Sequence, residues 1–191
     1  MMELWQIIIF IIIIILLLQF FWWYFSDTSY KISSFQDSTK QSIINPNKLK
    51  GSANFTLAGW FYVKKWHVNE PPKILYERYP DNNTNTGNTP FKVHLGNYEN
   101  DIIVHMPHYP DPNNRSKTTT KCRINNFPLQ TWVNLTISVQ GRSMDLYMQG
   151  KLVRTCVLPQ PSTFGNLGPL YITPENKDWP GYTSNILYYA H

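Results

Sequence analysis

Three patterns of apolar and polar positions divide the chain. From Leu4 to Phe25 the residues are apolar without a charge, and only Gln6 and Gln19 are polar. From Ser26 to Gly51 the chain is rich in Ser, Lys and Asn, with short apolar pairs such as Ile43-Ile44. After Ser52 the period becomes two. Phe55, Leu57, Gly59, Phe61 and Val63 alternate with Thr56, Ala58, Trp60 and Tyr62, which predicts a strand covered at least partly on both faces. Val133, Leu135, Ile137 and Val139 alternate with Asn134, Thr136, Ser138 and Gln140, a strand with one wet face. Gly141-Arg142-Ser143 then turns, Met144, Leu146 and Met148 return, and Gln149-Gly150 turns into Lys151–Leu158. Shorter runs are Lys73–Arg78, Phe91–Leu95, Ile102–Met106, Leu170–Thr173 and Thr183–Tyr189. No segment after Phe25 sustains a 3.6 period. Many short strands joined by Gly, Pro and Asn turns predict an all-β antiparallel β-sandwich or jelly roll behind one N-terminal helix.

The first segment has the length of a transmembrane anchor. Its 22 residues make a helix of about 33 Å, against a hydrocarbon core of about 30 Å. Leu4 and Phe25 mark its ends. Trp5 at one end and Trp22, Trp23 and Tyr24 at the other form an aromatic belt. Met1-Met2-Glu3 has no basic residue and no A-x-A-like site follows before Tyr30, so the segment reads as a retained single-pass anchor rather than a cleaved signal. The expected division is 1–25 anchor, 26–51 polar tether and 52–191 sandwich. The tether's length would let the domain stand up to about 80 Å from the bilayer.

Composition changes this picture little. All 17 Lys and Arg lie after residue 25 with 11 of the 12 acids, a modest and dispersed positive excess that does not point to nucleic acid. Two long polar loops, Pro80–Pro90 and Pro107–Lys121, could carry function or be plain surface insertions.

The segments FTLAGWFYV, KILYER, PFKVHLGNYENDIIVHM and CRINNFPLQTWVNLTISVQGRSMDLYMQGKLVRTCVLP, closed by GPLYIT and WPGYTSNILYYAH, resemble in their order the laminin-G-like or concanavalin-A-like lectin/glucanase family. The resemblance covers about Ser52 to Tyr189. It implies a two-sheet sandwich in which Trp132 buries its ring between the sheets, Gly150 takes a positive-φ turn position and Gly181 lets the backbone turn into the last strand. It also places the strands of Cys122 and Cys156 near each other. Cys122 shares a face with Ile124, and Cys156 with Leu152 and Leu158, so the two are expected to form a disulfide. Two buried thiols would fit the same pattern in a reducing compartment.

The family hosts lectins, adhesion modules, glycosidases and structural proteins, so function must come from the site. Retaining glycosidases need two carboxyls about 5–5.5 Å apart. The family's glucanases carry E-x-D-x-E on one strand, and this chain has no such run. Glu99 and Asp101 lack the third acid and fall at a turn. No catalytic residue and no enzymatic activity are therefore expected. No metal site is expected either. His105-x-x-His108 is broken by Pro107, and calcium is the one cofactor that Asp81-Asn82-Asn83 or Asp111-Pro112-Asn113-Asn114 could serve. Glycan contacts would use the exposed aromatics Trp66, Tyr79, Tyr98 and Tyr109. Of the N-x-S/T positions Asn54, Asn82, Asn114 and Asn134, only Asn82 and Asn114 lie in loops suited to a glycan.

Two settings fit a tethered sandwich without catalytic groups. Short anchored chains with one such domain resemble virion structural proteins of large DNA viruses, and 18 Asn and 18 Ile suit an AT-rich coding bias. A polar tether is ordered only where something pins it, and a packed particle would do so. The leading expectation is thus a minor capsid protein linking a virion's internal membrane to the capsid shell, with the bilayer and other capsid proteins as partners. The alternative is a cell-surface glycan-binding or adhesion module.

Overall fold

The computed structural model describes residues 4–25, 29–49, 53–66, 73–80, 90–115, 118–175 and 179–190. Helix α1 runs Leu4–Phe25. It is apolar all round, with Gln6 and Gln19 its only polar positions. Among the described residues, no helix is long and apolar enough to cross a membrane. Of the expected anchor ends and belt, Trp5 and Trp22 are exposed. The side chains of Leu4, Trp23, Tyr24 and Phe25 lie outside the described residues.

Thirteen described strands follow, all antiparallel: β1 Ser29–Ser33, β2 Gln36–Asp37, β3 Ser42–Ile44, β4 Phe55–Val63, β5 Ile74–Pro80, β6 Phe91–Leu95, β7 Ile102–Pro107, β8 Thr119–Ile124, β9 Trp132–Gln140, β10 Ser143–Met148, β11 Lys151–Val157, β12 Leu167–Ile172 and β13 Gly181–Ala190. The first sheet has the order β1-β13-β4-β9-β10-β11, with β2 also on β13, and the second β3-β12-β5-β6-β7-β8. Each central strand turns alternate residues inward. Phe55, Leu57, Phe61 and Val63 of β4 and Val133, Leu135, Ile137 and Val139 of β9 meet Phe91, Val93 and Leu95 of β6 and Ile102, Val104 and Met106 of β7 in one core.

The expected tether is the main correction. Residues 29–49 are woven into both sheets: Tyr30 and Lys31 pair with Tyr188 and Leu187, and Ile43 and Ile44 with Tyr171 and Leu170. Leu49 is fully buried, and the Ser38 hydroxyl donates to the Trp179 carbonyl. The segment is polar because it forms short edge strands, whose outer faces are wet. With α1 ending at Phe25 and β1 starting at Ser29, a reach of 80 Å is lost. β8 likewise begins at Thr119, inside the expected loop 107–121. Residues 81–89 of the other loop lie outside the described residues.

Glycine placement shows close approach between the sheets. A Cβ at Gly59 would strike the Tyr76 hydroxyl, which enters from the opposite sheet and has no hydrogen-bond partner among the described residues. Gly150 sits at φ 73 behind Gln149 at φ 52, the pair of positive angles that a two-residue hairpin requires. Gly181 is needed for a different reason than a turn: the Trp179 ring lies directly against its Cα. Trp132 corrects the expectation of an inter-sheet ring. Inward positions of β9 are Val133, Leu135, Ile137 and Val139, so Trp132 falls on the outer face and packs on Tyr62 at 5.6 Å and Phe35 at 6.3 Å.

Cys122 of β8 and Cys156 of β11 form a disulfide, with Cα atoms 6.1 Å apart. Because β8 and β11 are the last strands of their sheets, the bond clasps the two edges on one side of the sandwich. Closing a loop of 34 residues stabilises the fold by about 3–4 kcal/mol through the unfolded chain's entropy. The double variant Cys122→Ser, Cys156→Ser should lose about that free energy in urea unfolding, with the m-value rising as the unfolded chain expands. A loss under about 1 kcal/mol would remove the clasp from the account of stability.

Candidate functional site

The site grows from the alternation of three neighbouring strands. With Val93 and Leu95 pointing in, His94 of β6 points out. Ile103 and His105 of β7 and Lys121 and Arg123 of β8 do the same. Register then sets two rows across the outer face: His94, Ile103 and Arg123 in one, Lys92, His105 and Lys121 in the next. The loop from Gly96 to Asp101 joins β6 to β7 above the first row.

That loop is held from both sides. The Gly96 N–H donates to the Asp101 carbonyl at 2.8 Å, and the Trp66 indole N–H donates to the Gly96 carbonyl at 3.1 Å. Asn100 donates its amide to the Phe127 carbonyl at 2.9 Å. Arg123 reaches up from β8 and bridges Asp101 and Glu99. Asp101 is buried and also accepts from the Asn126 N–H at 3.1 Å. Glu99 and the outer part of Arg123 remain open to solvent.

These elements frame an open cleft of about 350 Å³ lined by His94, Gly96, Asn97, Tyr98, Glu99, Ile103 and Arg123. Tyr98, 73% exposed, offers a ring face, and Asn97, Glu99 and Arg123 offer donors and acceptors beside it. An aromatic face with polar groups at its rim is the chemistry that holds a hydroxylated ring.

Below the cleft two imidazoles meet. The Nε2 atoms of His94 and His105 are 3.1 Å apart, and His94 Nδ1 lies 2.9 Å from the Leu95 carbonyl. Burial lowers the pKa of His105 to about 4, helped by His94, Lys121 and Lys92. Burial also lowers that of His94, which the Leu95 carbonyl partly offsets.

Of the four aromatics singled out in the sequence, the structure brings two together. Tyr98 lines the cleft and Trp66 supports its loop. Tyr79 lies within β5, at the end far from the cleft, and packs edge-on against Tyr171 at 5.9 Å. Tyr109 follows the far end of β7 and accepts from the Asn166 amide at 3.2 Å. His94 and Arg123 were missed. Their outward positions were legible from alternation, but their proximity depends on strand register. Sequence reasoning also missed an outer aromatic face on the first sheet, where Phe35, Tyr62, Trp132 and Tyr182 adjoin and Lys64 lies 4.0 Å above the Tyr182 ring.

Glu99 and Asp101 are coupled through one guanidinium rather than facing each other across a free gap. His105 lies in β7 and His108 is buried beyond its end, so they do not act as a pair. Among the described residues no group of three His, Cys, Asp or Glu converges on a metal position. Asp81, Asn82 and Asn83 lie outside the described residues, and the Asp111 carboxylate accepts from the Asn113 N–H at 2.9 Å, an ordinary turn contact. Asn54 accepts from the Gly141 N–H and Asn134 from the Thr136 hydroxyl, while Asn114 stands in an exposed turn.

The family profile described as the concanavalin A-like lectin/glucanases superfamily matches residues 36–187, and the chain belongs to that superfamily. The match begins at Gln36, before the boundary expected at residue 52. No curated protein sequence matches the chain. Among solved structures, the fold resembles the binding domain of botulinum neurotoxin serotype D at a TM-score of 0.55 and 15% identity, covering 84% of this chain and 38% of that one. The binding domain of botulinum neurotoxin DC in complex with SialylT gives 0.55 and 14%, covering 84% and 39%. A structure described as A. japonicus CB05 gives 0.60 and 8%, covering 85% and 26%. The chain thus spans well under half of each, and at these identities the likeness is one of fold.

The histidine pair makes the stability of the domain depend on pH. A histidine with a depressed folded-state pKa binds fewer protons folded than unfolded, so stability is full above about pH 6.5 and falls as pH drops toward about 4. His105→Gln should flatten that slope in urea unfolding measured between pH 7 and 4, and NMR should show the His105 ring titrating well below the usual histidine range. A His105 midpoint at or above about 6.5 would refute this reading of the pair.

Proposed function

We propose that the chain is a non-enzymatic, membrane-anchored binding module whose cleft between Tyr98 and Arg123 takes a glycan. The observation that carries this is the exposed Tyr98 ring beside Asn97, Glu99 and Arg123 in one cleft. Sugar rings stack their C–H faces on an aromatic side chain and satisfy their hydroxyls at its rim, and these residues supply both. Membership of a superfamily that includes lectins supports the reading, as does a neighbour of this fold in complex with SialylT. A role without catalysis is supported by Arg123, which engages both nearby carboxylates and leaves neither as a free acid or base.

The membrane part rests on α1. What supports it is the sequence: residues 4–25 carry no charge and number 22, and 22 helical residues would cover a bilayer core of about 30 Å. The capsid reading loses its main support, since it relied on neighbouring chains to pin residues 29–49, and these pair with β12 and β13 of their own domain.

Two experiments test this. The full chain in mild detergent should bind a subset of an immobilised glycan panel, and Tyr98→Ala and Arg123→Gln should each weaken that binding about tenfold, a few contacts' worth of free energy. Absence of any glycan bound, or binding indifferent to both changes, would overturn the cleft assignment. For the anchor, the mature protein should retain residues 4–25 and resist alkaline extraction from membranes. A mature start after Ser26 would defeat it.

A further inference from the structure

We infer that His94 and His105 form a two-imidazole binding site for a divalent transition ion of the Zn2+ or Cu2+ type on the outer face of the second sheet. The residues lie diagonally on adjacent strands, since His94 pairs with Ile103 and Lys92 with His105, and their rings converge from that offset. Two nitrogens bound at about 2.0–2.1 Å in a tetrahedral arrangement stand about 3.3–3.4 Å apart. The Nε2 atoms here stand 3.1 Å apart, a separation that an ion needs only a few tenths of an ångström to enter.

The tautomer is already set on one side. His94 Nδ1 lies 2.9 Å from the Leu95 carbonyl, which can only accept, so Nδ1 carries the proton and neutral Nε2 presents its lone pair. A backbone carbonyl behind a ligating histidine is the usual device that orients the ring and raises its basicity. On the other side, the pair without an ion shares one proton, His105 Nε2–H donating to His94 Nε2. When an ion enters, that proton moves to His105 Nδ1 and both Nε2 lone pairs face the metal. The ion replaces one hydrogen bond, and no net proton need be released.

The charged groups around the pair are Lys92 and Lys121, which disfavour a cation, and Glu77, which favours it. Imidazole nitrogens select Zn2+, Cu2+ or Ni2+ over the oxygen-seeking Ca2+ and Mg2+. With two protein ligands, the remaining positions fall to water or to an oxygen ligand in the adjoining cleft, which His94 also lines. The site does not depend on the glycan reading.

The test uses the full chain in detergent with CuCl2 and ZnCl2 as probes. Cu2+ should bind one equivalent with an electron paramagnetic resonance spectrum split by two nitrogens. His94→Ala and His105→Ala should each weaken it about tenfold or more and abolish the two-nitrogen pattern. Since either variant could disturb the sheet, nitrogen-15 spectra of the unaltered protein give a second reading: Zn2+ should shift Nε2 of both His94 and His105, and Ca2+ neither. Cu2+ binding unchanged in both variants, or Zn2+ shifting other histidines and not these, would overturn the site.

Discussion

A buried guanidinium, with no carboxylate partner among the described residues, organises the interior. Arg78 of β5 is fully buried, and its head donates to the carbonyls of Gly168 at 2.6 Å, Leu167 at 2.7 Å and Phe164 at 2.9 Å. Its charge lies 4.5 Å over the Phe164 ring, which itself stacks on Phe55 at 3.9 Å and meets Phe91 edge-on at 4.9 Å. Burial lowers the Arg78 pKa to about 10, so the group keeps its proton and must be solvated by those carbonyls. The consequence is register. Arg78 ties β5 to the start of β12, where the ladder shifts between Leu167 and Leu170, and β5 in turn fixes β6.

From β5 the constraint passes to the cleft. Ile74 pairs opposite His94, and Glu77 opposite Lys92, so the outer rows of β6 inherit their position from the strand that Arg78 holds. The Gly96–Asp101 loop is then fastened by Trp66 on one side and by Arg123 and Asn126 on the other. A binding residue on a loop needs such support, because each side chain left mobile must be ordered on binding. The disulfide works at the same side of the molecule: Cys122 is the neighbour of Arg123, so the bond that joins the sheet edges also steadies the strand carrying the clamp.

The segment before β4 shows how a polar composition can mislead. Ser, Lys and Asn between residues 26 and 51 read as a tether because edge strands bury only one side of a short stretch. Yet Leu49 and Ser38 are fully buried, and Phe35 caps the outer rings of Trp132 and Tyr182. Few residues anchor the segment, and no local period announces them.

Alternation within β4, β6, β7, β9 and β10, and the glycine at the β10–β11 turn, were legible in the chain itself, because a strand's inward set is written two residues apart. The cysteine pairing was legible once their faces were read beside the order of segments shared with the superfamily. What lay beyond the sequence were relations between strands. Whether Trp132 faces in or out depends on which member of its alternating set meets the second sheet, and an off-by-one choice sends the ring to the opposite face. The nearness of His94 to His105, and of Arg123 to both Glu99 and Asp101, comes from register between residues 11 to 24 positions apart. Local periodicity fixes which way a side chain points, but only the pairing of strands in three dimensions decides what it points at.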